Sequence, residues 1–409
     1  MDPLNVLFVA PYFGPNMLRS VDALAELDGV RLGIISQEPA ERLPDGLRKR
    51  CAGHYQVSDS LDANQLTEAT RAFQKEWGRV DRLLGYLEQM QIPLAVARDR
   101  AGVPGMGEAV ARNFREKNRM KQVLRDAGLP VARQALLTTI DGALRFGDQV
   151  GYPIVLKPPA GLGSRGTLRV GSAEEMRAAL VQLLVTPSNP VQAEEFIQGE
   201  EHTFETVTIG GRPVWSSSSY YLPRPLEVLE NPWIQYCVLL PREHLEPHAE
   251  RFRSINADAL RALGVDTALS HMEWFIRPDG TPVISEVGAR PPGVHLMPMM
   301  GYCHGVDMWR KWAELMTRGE FSIPPRRYAC GVAFFRGQGA GQIVRAVEGV
   351  DAANERVGRY VIESKVPKVG MVKASGYEGE GYAIVRAETT REVVDALRTM
   401  VQTIRVILG

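Results

Sequence analysis

The stretch His271-Met272-Glu273-Trp274-Phe275-Ile276-Arg277-Pro278-Asp279-Gly280-Thr281-Pro282-Val283-Ile284-Ser285-Glu286-Val287-Gly288-Ala289-Arg290 decides the reading. Asp279-Gly280 between two apolar-rich runs signals a hairpin, because glycine enters positive φ without a Cβ penalty. A symmetric hairpin centred there, with a loop of two or four residues, sets Met272 against Val287 and Ile276 against Val283 on one buried side. Glu273 then falls opposite Glu286 on the other side, and His271 opposite Gly288. Facing carboxylates repel unless one is protonated or a cation bridges them. A solvated pair near an open edge is the plain alternative.

Upstream, Ile154-Val155-Leu156-Lys157 reads as a strand ending in a cation. It leads into Gly161-Leu162-Gly163-Ser164-Arg165-Gly166. Glycines let backbone N–H groups approach phosphate oxygens, and Lys157 and Arg165 offset the charge. An ordinary glycine-rich hairpin loop would look similar. No GK[ST] follows, so this is not a Walker loop. A helix spanning about Glu108 to Ala127 carries Lys117 and Lys121, the latter expected on a solvated face. Beyond the capping box Ser172-x-x-Glu175 and its helix comes the acidic segment Gln192-Ala193-Glu194-Glu195-Phe196-Ile197-Gln198-Gly199-Glu200-Glu201. Taken alone, it suits a solvated turn.

In order and spacing these segments resemble the ATP-grasp superfamily. The resemblance implies that Lys117, on a helix, and Lys157, on a strand, bind ATP. Gly161, Gly163, Ser164, Arg165 and Gly166 would form the loop over its phosphates. It further implies that Glu194 accepts from the adenine amino group and that the backbones of Glu195 and Ile197 contact the base. Glu201 would hold the ribose, with Glu200 as the competing candidate. Glu273 and Glu286 would bind Mg²⁺, two ions in all, with Mn²⁺ able to substitute. Arg290 would join Lys157 in catalysis, gripping the transferred phosphate or the substrate carboxylate. The family usually reads E-x-N-x-R where this chain has Glu286-Val287-Gly288-Ala289-Arg290. Gly288 therefore removes one metal contact, and His271 opposite it is a candidate metal or substrate ligand in compensation. The alternative is that His271 fills space beside a glycine required by close backbone packing.

The 409 residues, 44% of them apolar, can build several packed units. Lys plus Arg equals Asp plus Glu at 48 each, so no global field recruits nucleic acid or an acidic membrane. Cys51, Cys237, Cys303 and Cys330 form no CxxC pair, which argues against a disulfide framework or structural zinc. His244 and His248 have metal-pair spacing, but Pro247 intrudes and no third ligand is evident. No GxSxG elbow accompanies Ser216–Ser219. Tyr220–Glu227 reads as an ordered loop, and Val294–Met300 as a pocket wall or core. No apolar run is long enough to span a membrane. These features point to a cytoplasmic protein.

The expected architecture is α/β (α+β) of ATP-grasp type, in four units. These are an N-terminal Rossmann-like α/β domain over 1–110, a linker helix and lid over 111–190, a large mixed-sheet catalytic subdomain over 191–325, and a C-terminal domain over 326–409. The overall plan is similar to the L-amino-acid ligases. That implies transfer of the ATP γ-phosphoryl group to a carboxylate, then attack by an amine. The implied partners are small-molecule carboxylate and amine substrates, with homodimerisation. Two alternatives are a biotin- or purine-carboxylase-type enzyme activating bicarbonate, and a non-catalytic ATP-binding regulator.

Overall fold

The computed structural model describes residues 2–157, 167–231, 233–243, 249–376 and 378–409. In the first unit, four parallel strands lie in the order Gly53–Gln56, Val30–Ser36, Leu4–Val9, Arg82–Leu84. Leu4–Val9 sits inside this sheet and is buried nearly throughout, as its mainly apolar sequence requires, with the buried Asn5 side chain donating to Arg79 O. The helix Ala63–Trp77 turns Leu66, Ala69, Phe73 and Trp77 onto the sheet at helical spacing.

The expected helix over 108–127 is two helices, Glu108–Arg115 and Lys117–Asp126. Glu116 between them is extended, with φ −91° and ψ 99°. No glycine or proline marks this break. Its consequence is positional, because Lys117 becomes the first residue of a new helix whose buried face includes Lys117, Met120, Lys121 and Leu124.

A four-stranded antiparallel sheet follows, in the order Gln134–Leu137, Val191–Glu195, Ile154–Lys157, Leu168–Val170. Helices Ile140–Val150 and Ala173–Gln182 pack beside it. Ser172 caps the second by accepting from Glu175 N, while the Glu175 carboxylate accepts from Gly171 N instead of closing the box on Ser172.

The largest sheet has eight strands. Their order is Pro282–Gly288, Ala268–Ile276, Glu200–Ile209, Arg212–Leu222, Tyr236–Leu240, Ala329–Phe335, Gly381–Ala387, Val361–Lys365. Residues of the expected C-terminal unit therefore continue the eight-stranded sheet, with Ala329–Phe335 pairing directly with Tyr236–Leu240. The terminal helix Thr390–Thr403 opens with a complete Thr389/Glu392 capping box. Tyr220–Leu222, read as loop, extends the strand Arg212–Leu222, and a short helix Pro225–Glu230 follows. Among the described residues no helix is long and apolar enough to cross a membrane.

Candidate active site

The hairpin places its carboxylates as the alternation requires. His271 pairs with Gly288, Met272 with Val287 and Glu273 with Glu286. Beyond Glu273 the register shifts, so Phe275, not Ile276, faces Val283 and Ile276 faces Pro282. A bulge absorbs Ser285, and the connection runs through Arg277–Thr281 rather than a two- or four-residue loop. Gly199 serves the same hairpin from outside, since a Cβ there would lie 2.3 Å from Ile276 O. Only glycine lets the chain entering the strand Glu200–Ile209 pass so close to the hairpin.

These elements enclose a cavity of about 590 Å³. Lys117, Lys157, Glu194, Glu195, Ile197 and Glu201 line it, together with His271, Glu273, Glu286 and Arg290. Every expected site residue outside 158–166 thus meets in one place. Gly161, Gly163, Ser164, Arg165 and Gly166 lie outside the described residues, as do His244 and His248.

Several charges at the cavity are paired. Lys117 Nζ forms an ion pair with Glu286 Oε2. Burial would raise the Glu286 carboxyl, but Lys117 and Lys157 override it and hold the group at about 2. Burial works against the Lys117 ammonium too, and Glu286 more than offsets it, leaving its pKa raised. Lys157 Nζ lies 2.7 Å from Glu194 Oε2. Lys121 is not solvated: it is 1% exposed, with Nζ 2.8 Å from Glu194 Oε1. The helix break turns Lys121 inward, four residues after Lys117 and on the same face.

Glu195 directs its carboxylate away from the base-binding role. It accepts from Arg133 Nε at 2.8 Å and from Arg277 Nη2 at 3.2 Å. Ile197 is buried, and its carbonyl accepts from Arg224 Nη1 at 3.3 Å. Glu201 faces the cavity, whereas the Glu200 side chain is 83% exposed. Burial first, and the Glu273 charge second, push the Glu201 carboxyl up to about 8.

His271 Nδ1 lies 2.8 Å from Glu205 Oε1, and Nε2 lies 3.7 Å from Glu273 Oε1. Burial would lower its pKa, but the two carboxylates raise it to about 9. A Cβ on Gly288 would meet nothing nearer than Arg290 Cγ at 3.6 Å. Close backbone packing therefore does not require glycine there.

Sequence reasoning missed Glu88, which lies in a short turn of the first unit and lines the cavity. Glu88 Oε2 accepts from Arg290 Nη2 at 2.6 Å and from Nε at 3.1 Å, and Arg115 Nη1 lies 3.4 Å from Oε1. Phe196 was also missed; the guanidinium carbons of Arg169 and Arg224 lie 5.4 and 5.3 Å from its ring centroid. Nothing local in the sequence marks Glu88, whereas Lys121 was recoverable from its spacing to Lys117. Val294 does line the cavity, but Leu296, Met297, Met299 and Met300 are core.

Among the described residues no group of three or more His, Cys, Asp or Glu is arranged to hold a metal. Two facing carboxylates fit a magnesium ion whose remaining ligands come from phosphates and water, and do not fit an all-protein cage.

The family description "Carbamoyl-phosphate synthase L chain, ATP binding domain" matches residues 116–206, from the helix break into the strand Glu200–Ile209. Alanine–anticapsin ligase from Bacillus subtilis strain 168 is 25% identical over 253 residues, 56% of this chain and 52% of the ligase. The chain thus spans about half the length of this curated relative. The crystal structure of L-amino acid ligase from Bacillus licheniformis superposes with a TM-score of 0.78 at 19% identity, over 100% of both chains. The biotin carboxylase domain of Hydrogenobacter thermophilus 2-oxoglutarate carboxylase, solved with MgADP, ADP and bicarbonate, gives 0.66 at 19%, over 99% of this chain and 91% of that one. Residues 116–206 are thus similar to an ATP-binding domain, and the chain as a whole shares the fold of the L-amino acid ligase and of the biotin carboxylase domain.

Proposed function

We propose that the chain is an ATP- and Mg²⁺-dependent ligase that phosphorylates the carboxylate of an amino acid and joins it to the amine of another, releasing ADP and phosphate. The observation that carries the reading is the convergence of Lys117, Lys157, Glu273, Glu286 and Arg290 on one cavity. A protein that only binds nucleotide has no use for all five.

Glu194, the Glu195 and Ile197 backbones and Glu201 would hold the nucleoside. Lys117 and Lys157 would neutralise phosphate oxygens as a substrate carboxylate oxygen bonds to the γ-phosphorus and the bond to ADP breaks. Mg²⁺ on Glu273 and Glu286, with phosphate oxygens completing its shell, would supply further charge neutralisation. Arg290 would orient the carboxylate and then the acyl phosphate. An amine attacks the acyl carbon, phosphate leaves, and the amine loses a proton. Enclosure of the site keeps water from competing.

The test is nucleotide turnover across a panel of amino-acid pairs, with mass detection of products and hydroxylamine as a trap. ADP, phosphate and an acyl hydroxamate are expected. AMP as the sole nucleotide product overturns the γ-transfer route. Bicarbonate-dependent turnover without amino acids would favour the carboxylase reading, which the fold shared with the 2-oxoglutarate carboxylase domain makes worth testing.

A further inference from the structure

Two lysines share one carboxylate in this site, and they are not equivalent. Lys157 lines the cavity at the end of the strand leading to the glycine-rich segment, whereas Lys121 is not among the lining residues and is almost fully enclosed. Their ammonium groups take opposite oxygens of Glu194, Lys121 at Oε1 and Lys157 at Oε2. Glu194 itself borders the cavity. Its strand is held on both sides, by Gln134–Leu137 and by Ile154–Lys157. One arm of the carboxylate is therefore fixed from behind, while the other is held by a cation that can reach into the cavity.

We infer that Lys121 is a positioning residue for nucleobase choice: it anchors Glu194 through Oε1, so that Oε2, freed when Lys157 turns to phosphate, meets the exocyclic amine of a 6-aminopurine. The inference rests on the nucleotide-dependent reading above. An ionised carboxylate only accepts hydrogen bonds. A 6-amino group donates to it, whereas a 6-oxo group brings a second lone pair and is rejected. Lys121 keeps Glu194 in the accepting form. Burial alone would raise the Glu194 carboxyl, but the two lysines pull it down to about 2. Burial lowers the Lys121 ammonium to about 8, which leaves it charged at neutral pH. Without Lys121, Glu194 can pivot toward Lys157 or take up a proton, and a protonated carboxyl can donate to a 6-oxo base.

The experiment measures equilibrium binding of ATP and ITP to the full chain with Mg²⁺, alongside turnover with each. Wild type is expected to prefer ATP. Lys121→Met lowers the ATP-over-ITP ratio about ten-fold, with the loss in KM and Kd rather than kcat. Lys121→Arg keeps a cation and retains the preference. Lys121→Gln donates to Oε1 without the charge; it is the second variant should Met prevent folding, and its ratio also falls. A folded Met or Gln variant with the wild-type ratio overturns the role of Lys121 alone. Wild type that binds both nucleotides equally removes base recognition by Glu194 and the inference with it. Wild type that binds neither nucleotide defeats the ATP-dependent reading itself.

Discussion

Arg290, just beyond the hairpin of Glu273 and Glu286, holds Glu88 of the first unit through Nη2 at 2.6 Å and Nε at 3.1 Å. The residues are 202 positions apart, so the contact exists only because the parallel sheet and the hairpin meet at the cavity wall. Both side chains are partly buried, which screens the pair less than a surface bridge. The guanidinium is thereby aimed before any substrate arrives.

Glu88→Gln keeps the shape of this partner and removes its charge. The expected result is a fall in kcat of about ten-fold, because a catalytic group displaced by a fraction of an ångström loses alignment. KM for ATP should change little, since Glu88 touches none of the expected nucleotide ligands. Steady-state kinetics decide the matter, and unchanged kcat would show that Arg290 needs no tether.

Acid stability should report the Glu194 pair. Its folded carboxyl sits at about 2, against 4.5 for an ordinary glutamate. A depressed folded value contributes stability that is present above pH 4.5 and is lost as pH falls through about 2. Wild type should therefore lose unfolding free energy steeply across that window, and Glu194→Gln should be flatter there and less stable at pH 7. Denaturant melts at a series of pH values measure both slopes. Parallel slopes would mean that Glu194 is not ionised against its lysines.

Glu286→Gln is expected to abolish turnover, because it removes one of the two facing carboxylates. It should also destabilise the apoprotein by about 1–3 kcal/mol, since Lys117 is left with a neutral partner in a buried place. The thermal shift is read without Mg²⁺, and the turnover with it. Retained turnover would move the metal site elsewhere.

Much of the site was legible because its geometry is local. A hairpin turn at Asp279-Gly280 and a two-residue period suffice to put Glu273 opposite Glu286, and the bulge at Ser285 lies just beyond the pair and leaves it intact. The parallel first sheet agrees with the N-terminal Rossmann-like α/β domain expected there. Lys121 departs from the solvated face expected for it, because Lys117, Lys121 and Leu124 share a face at helical spacing and that face is buried. Burying an ammonium runs against the usual expectation, and only the distant Glu194 makes it tolerable. Glu88 and Glu205 were illegible for a different reason. Their partners, Arg290 and His271, are brought to them by tertiary packing and sheet pairing that no local pattern announces. The split of the expected helix at Glu116 likewise carries no local breaker.

The last prediction concerns His271, expected from sequence either to bind metal in place of the missing Asn or to fill space. The structure gives it a third occupation, because Nδ1 faces Glu205 at 2.8 Å. Glu205 is 0% exposed, and its Oε2 has no hydrogen-bond partner among the described residues. His271→Ala would leave that carboxylate buried and unpaired, and should cost about 3 kcal/mol of stability, the usual penalty for removing one member of a buried pair. Half-activation by Mg²⁺ should shift by less than about two-fold, a change within ordinary surface-substitution energies. Gly288→Asn is the companion, since the added Cβ meets only Arg290 and the His271 carbonyl at van der Waals distance and should fold. If His271→Ala instead raises the Mg²⁺ requirement about ten-fold, and Gly288→Asn in that background restores it, the imidazole substitutes for the missing Asn. A loss of thermal stability with unchanged Mg²⁺ dependence assigns His271 to holding Glu205.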